Sequence, residues 1–168
     1  FEWEEADTTL LGFCRQLIAF RHEHPVFRRR GWFQGRPGPG GKVDDAGWFT
    51  PDGQEMDQEN WSQGFAKSIQ VFLNGDALTS RDARGERITD DSYLLLINAH
   101  HEPLSFQLPP AEWGKRWLLI LDTDAEAGFL ADDAVVTLEA GQSLEAESRS
   151  LMLLQRLPGR SESAALLE

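Results

Sequence analysis

The apolar periodicity of this chain changes once, at Pro25, and that change restricts it to one helix followed by β structure. From Thr8 the apolar positions Leu10, Leu11, Phe13, Cys14, Leu17, Ile18 and Phe20 recur at three- and four-residue spacing, the period of one face of an α-helix. Asp7, Thr8 or Thr9 can act as N-cap, and Pro25 cannot continue the run. The spacing predicts a helix over 8–23. Its apolar face is wide for a surface helix, so part of it needs a partner surface or stays exposed.

Beyond Pro25 the apolar residues gather into short segments divided by turn residues. Gly35 to Gly41 holds four Gly and two Pro in seven residues, which predicts a loop. Trp48-Phe49-Thr50 runs into Pro51-Asp52-Gly53, where Pro at the second and Gly at the fourth position of a turn suit type I. Further β-type segments follow at Ile69–Leu73, ending in Asn74-Gly75, then at Tyr93–Asn98, Leu104–Leu108, Arg116–Leu121, Val135–Leu138 and Ser150–Leu154. Short strands at roughly ten-residue spacing with Gly and Pro between them predict a β-sandwich. Pro103, Pro109 and Pro110 mark edges or loops. No internal repeat is visible, and the stretch after Pro158 has no pattern of its own.

Charge narrows the partners. The 168 residues carry 16 basic and 28 acidic side chains, a net charge of −12 with His neutral. Residues 1–36 hold six basic and five acidic groups, so the acidic excess lies beyond them. Nucleic acids and anionic membranes are bound by Lys and Arg, and an acidic chain fits a neutral or cationic partner better. The longest apolar run, Trp117 to Leu121, is far too short to cross a bilayer. The lone Cys14 allows no internal disulfide, which fits a reducing compartment and makes the cytoplasm the expected location. The chain opens on Phe1 rather than Met and reads as a piece of a longer protein.

Catalytic patterns are sparse. No GxGxxG, GxxxxGK[ST], HExxH or GxSxG spacing occurs, and no cofactor or metal is expected. His100-His101-Glu102 is the most metal-like cluster, but neighbours on a strand point to opposite faces, so an ordinary strand-end turn is the simpler reading. His22 and His24 suit a solvated helix C-terminus, where imidazole complements the dipole. The pairs Asp44/Asp45, Asp90/Asp91, Asp122/Asp124 and Asp132/Asp133 supply carboxyls of the kind glycoside cleavage uses, yet each lies in a turn-rich stretch where Asp caps and closes turns. Arg28-Arg29-Arg30 either meets an acidic surface of another domain or is solvated. Trp32, Phe33, Trp48, Phe49, Trp61 and Phe65 suit core packing, or alternatively a flat platform for sugar rings.

The stretch Asp45-Ala46-Gly47-Trp48-Phe49-Thr50-Pro51-Asp52-Gly53-Gln54-Glu55-Met56, followed by Glu59-Asn60-Trp61, closely resembles the bacterial glycogen debranching enzymes, isoamylase-type members of the alpha-amylase superfamily. It departs from their pattern at Thr50, where Arg is frequent. The resemblance extends back through Leu11 to Phe27 and forward through Val71 to Asp76, Asp90 to Pro103 and Trp117 to Thr123. In such enzymes a (β/α)8 barrel hydrolyses α-1,6 branch linkages with an Asp nucleophile, a Glu acid/base and a second Asp, all upstream of Phe1 by this resemblance.

The resemblance implies a mainly β chain, a C-terminal β-sandwich preceded by the last barrel helix. Residues 1–30 would be that helix and the barrel exit, 31–66 a connecting region with the motif, 67–157 the sandwich, and 158–168 a tail. The implied partners are the catalytic barrel of the same parent chain and glycogen or another branched α-glucan as the parent's substrate. Two roles follow: support of the barrel by a fragment that is inactive alone, or an autonomous glucan-binding module with Trp48, Trp61 and Trp32 as contacts. A self-sufficient hydrolase built on one Asp pair runs against the resemblance.

Overall fold

The computed structural model describes residues 6–38, 41–63, 67–131 and 134–158. Phe65, Asp132, Asp133 and the stretch 159–168 lie outside them.

The helix forms where the apolar period predicts it: α1 spans Thr8–Glu23, with the Asp7 carboxylate accepting from the amides of Thr9 and Leu10 at 2.9 and 3.0 Å. Those bonds satisfy donors that a first helical turn leaves without partners. The helix stops at His24, and Pro25–Arg28 forms a single 3-10 turn.

Among the described residues eight strands follow: β1 Ala46–Phe49, β2 Ser68–Leu73, β3 Tyr93–Asn98, β4 Leu104–Gln107, β5 Arg116–Asp122, β6 Val136–Glu139, β7 Ser143–Ala146 and β8 Ser150–Leu157. They build a six-stranded antiparallel sheet in the order β1-β2-β3-β8-β5-β6 and a two-stranded sheet of β4 and β7. The chain is thus mainly β, an antiparallel sandwich. β1, which lies within the stretch read as a connecting region, is the edge strand of the larger sheet. A five-residue helix, α2, spans Gln58–Ser62.

Alternation along each strand sends side chains to two faces. On the inner face Phe49, Phe72, Leu94, Leu96, Trp117, Leu119 and Leu154 pack with Phe106, Leu108 and Ala146 from the side of the small sheet, and Trp113 fills the space between them. Phe49 and Phe72 meet the Trp113 ring edge-on at 4.9 and 5.4 Å. On the outer face Tyr93, Leu121 and Leu153 form a second buried cluster with Val26. β5 serves both faces because its register with β8 shifts between Leu119 and Leu121; the extra residue reverses the parity, so Leu119 faces inward and Leu121 outward.

The helix covers the outer face with Phe13 and Phe20. Phe20 lies 5.6 Å from both the Tyr93 and the Phe129 rings, and Phe13 lies 6.1 Å from Phe129. No residue of α1 is fully buried. Leu10, Leu11, Leu17 and Ile18 remain 57, 38, 42 and 60% exposed, the exposed apolar area that the width of the helical stripe implies. Among the described residues no helix is long and apolar enough to cross a membrane.

Two buried amides tie the loops together. Asn74 donates from Nδ2 to the carbonyls of Val43 and Asp44 at 3.1 and 3.0 Å, and its Oδ1 accepts from the Asp76 amide at 3.0 Å. A Cβ on the neighbouring Gly75 would land on the carbonyl oxygens of Asp90 and Asp91, so only glycine fits there. At the far end of the sheet Asn98 donates to the carbonyls of Glu102, Ala146 and Glu147 and accepts from the Ser68 hydroxyl and the His100 amide. Both asparagines exchange most of their hydrogen-bonding capacity with the protein, which is what makes a buried amide tolerable.

Candidate functional site

Trp48 and Trp61 come together on the surface. Trp48 projects from the outer face of β1, the side opposite Phe49, and stays 40% exposed; Trp61, on α2, is 56% exposed. Their rings lie 5.5 Å apart at 70°, two apolar planes set at an angle.

Several bonds fix this corner. The Thr50 carbonyl accepts from the Gly53 amide at 3.0 Å, closing the Pro51-Asp52-Gly53 turn, and Gly53 takes φ +76°. The Gln70 amide nitrogen, fully buried, donates to the Thr50 and Gln107 carbonyls at 2.8 and 2.9 Å. The Met56 amide donates to the Trp48 carbonyl at 2.8 Å, bringing the chain back alongside β1. Asp57 and Asn60 then exchange side-chain and backbone bonds in a capping box that starts α2, so the short helix carrying Trp61 has a defined origin.

Trp48 also begins an apolar row across the outer face. Register places it beside Val71, Val71 beside Leu95, Leu95 beside Leu153 and Leu153 beside Leu121. Trp32 is separate: it is 91% exposed and makes no ring contact among the described residues. Phe33 carries the Arg29 guanidinium over its ring at 4.4 Å, whereas Phe49 is in the core.

Arg29 departs from both expectations for its run. It is neither solvated nor directed at another domain; its Nη2 lies 3.1 Å from the Asp45 carboxylate, with the two side chains 8 and 3% exposed. Asp45, the first residue of the motif, also accepts from the amides of Gln34 and Gly35 at 2.9 and 3.0 Å. This pair pins the segment after the helix against the start of β1.

His24 likewise is not a solvated helix end. Its Nδ1 sits 2.9 Å from Asp90 Oδ1 and 2.9 Å from the Tyr93 hydroxyl, and its ring packs 4.4 Å from Phe20. Asp90 Oδ2 accepts from the Val26 amide at 2.9 Å. Burial first, and then the charges of Asp91, Asp90 and Glu23, push the Tyr93 phenol far above its ordinary range, so it stays protonated and available as a donor. His22 is exposed, and its carbonyl accepts from Arg28 Nε.

The remaining acidic pairs have structural partners: Asp91 accepts from the Gln155 side-chain amide on β8, and Asp122 from the Asp124 backbone amide. Asp132/Asp133 lie outside the described residues. His100 and His101 belong to a turn beyond the end of β3, not to a strand. Their rings therefore stack at 4.2 Å instead of pointing apart.

Within this geometry, residues 45–160 match the family model described as isoamylase, C-terminal. The chain belongs to that family. It is 40% identical over 158 residues to the glycogen operon protein GlgX homolog of Mycobacterium tuberculosis, covering 92% of this chain and 21% of that protein. It is 24% identical to the isoamylase of Pseudomonas amyloderamosa, covering 92% of this chain and 18% of that enzyme. The glycogen debranching enzyme of Dickeya chrysanthemi is 28% identical over 111 residues, 66% of this chain and 14% of its own length. The chain thus spans about a fifth of the length of the first of these relatives.

Proposed function

We propose that this chain is the C-terminal β-sandwich of a cytoplasmic glycoside hydrolase that cleaves α-1,6 branch linkages of glycogen, and that it supports and stabilises the catalytic barrel of the same parent chain. The catalytic residues would lie in that barrel, leaving the 168-residue chain inactive alone. One observation carries the reading: α1 is apolar on two sides. Phe13 and Phe20 are spent on the sandwich, while Leu10, Leu11, Leu17 and Ile18 remain exposed. A helix that buries one side in each of two units joins them, and burying a Leu or Ile side chain contributes about 1.5–3 kcal/mol.

The test compares two proteins. In the isolated chain, Leu17→Gln with Ile18→Gln should leave unfolding within about 0.5 kcal/mol, as for an ordinary surface change. In the full-length parent the same pair should cost about 3 kcal/mol or more, read as a lower midpoint for thermal loss of debranching. Equal effects in the two proteins would refute the support role.

The Trp48–Trp61 pair favours a second role, a glucan-binding module. Calorimetric titration with a linear maltooligosaccharide should then show saturable binding that weakens about tenfold in Trp48→Ala or Trp61→Ala, equivalent to about 1.4 kcal/mol. Absence of heat at millimolar sugar would remove this reading and leave support alone.

A further inference from the structure

A second site lies away from the tryptophans. The 3-10 turn Pro25–Arg28 and the residues after it face a small hairpin, residues 80–88, in the connection between β2 and β3. Between them is a cavity of about 370 Å³ lined by Arg28, Arg29, Arg30 and Arg81, with an apolar wall that includes Ile88 and with Ser80 as a hydroxyl. Four guanidinium groups around one cavity are unexpected in a chain of net charge −12.

The arginines differ in what already holds them. Arg29 is committed to Asp45. Arg28 donates from Nε to the His22 carbonyl, and Arg81 from Nη1 to the Gly85 carbonyl at 2.6 Å. Carbonyl contacts orient a guanidinium without neutralising it. Among the described residues no carboxylate lies within ion-pair distance of Arg28, Arg30 or Arg81. Asp82 also lines the cavity, but its Oδ1 accepts from the amides of Arg84 and Glu86 and holds the hairpin turn.

The hairpin that presents Arg81 is locally specified. Its amides pair Ile88 with Ser80 at 3.2 Å and Asp82 with Glu86 at 3.0 Å, and Gly85 closes it at φ +82°. Arg81 and the turn residues are therefore carried on an ordered element across from Arg28 and Arg30.

We propose that this cavity binds a small phosphate monoester, with Arg30 and Arg81 gripping the phosphate and the apolar wall and Ser80 receiving the organic part. Guanidinium forks match phosphate oxygens in geometry and charge. The volume falls within the range of ~300–1,000 Å³ typical of small-molecule sites, more than a bare anion needs. The site does not depend on the debranching role: it rests on the arginines and the cavity alone.

The probes are glucose 1-phosphate, glucose and inorganic phosphate, titrated calorimetrically into the 168-residue chain at constant ionic strength. Glucose 1-phosphate should bind saturably, at least about tenfold tighter than inorganic phosphate, and glucose should not bind. Arg30→Gln with Arg81→Gln should weaken the sugar phosphate about tenfold or more, since both charged hydrogen-bond donors to the phosphate are removed. The exposed Arg15→Gln, on α1, should change nothing, and unchanged circular dichroism should show that the double variant is folded. Equal affinity for inorganic phosphate and the sugar phosphate would overturn the monoester assignment. An absence of binding would overturn the site altogether, leaving the arginines to carboxylates from elsewhere in a longer protein.

Discussion

Asp45→Ala is expected to lower the unfolding free energy by about 3–5 kcal/mol, the usual cost of removing one partner from a buried ion pair. Typical domains have only ~5–15 kcal/mol in total. Three donors meet at this carboxylate: Arg29 Nη2 and the amides of Gln34 and Gly35. With Ala in its place Arg29 keeps the Phe33 ring and two long contacts to the carbonyls of residues 45 and 77, at 3.3 and 3.5 Å, and none of these neutralises a charge whose side chain is 8% exposed. Arg29→Met should cost less, because Asp45 would still hold two amides and the Met side chain can occupy part of the space over the Phe33 ring. Chemical denaturation decides the order, with an unchanged slope marking a true change in stability. If Arg29→Met proved the more damaging, Asp45 would not be the hub that the bond pattern makes it.

This pair also marks where sequence reading runs short. The helix was legible because its signals are local: the apolar period, Asp7 before the first turn and Pro25 after the last give the same limits as α1. The β3 segment Tyr93–Asn98 and the sandwich class were legible for the same reason, from runs of large apolar residues bounded by turn formers. β7 escaped because Ser143–Ala146 alternates over only four residues and puts a single fully buried side chain, Ala146, toward the core. α2 escaped for its brevity, although Asp57 and Asn60 spell its capping box.

The polar partners were hidden differently. His24 meets Asp90 and Tyr93 across more than sixty residues, and Arg29 meets Asp45 across sixteen; no local period encodes such contacts. A lone imidazole at a helix end looks solvated until the sheet is placed beneath it. The tryptophans were ambiguous for a related reason, since an aromatic residue on an edge strand has the same neighbours in sequence whichever face it takes.

The alternation on β1 resolves that ambiguity and predicts the other large effect. Phe49→Ala should cost about 3–5 kcal/mol, as for large aromatic truncations in packed cores, because Phe49 is 0% exposed and holds the edge of Trp113 at 4.9 Å. Trp48→Ala, one residue earlier, deletes a larger side chain but leaves no enclosed cavity, and its cost should stay near 1 kcal/mol, typical of a partly exposed position. Thermal midpoints of the two variants measure the contrast directly. A shift for Trp48→Ala as large as that for Phe49→Ala would mean that Trp48 is spent on packing, and the angled pair with Trp61 would lose its standing as a surface offered to a ligand. A small shift would leave Trp48 a large exposed ring held in place by buried neighbours, the property that a sugar platform requires and a core residue lacks.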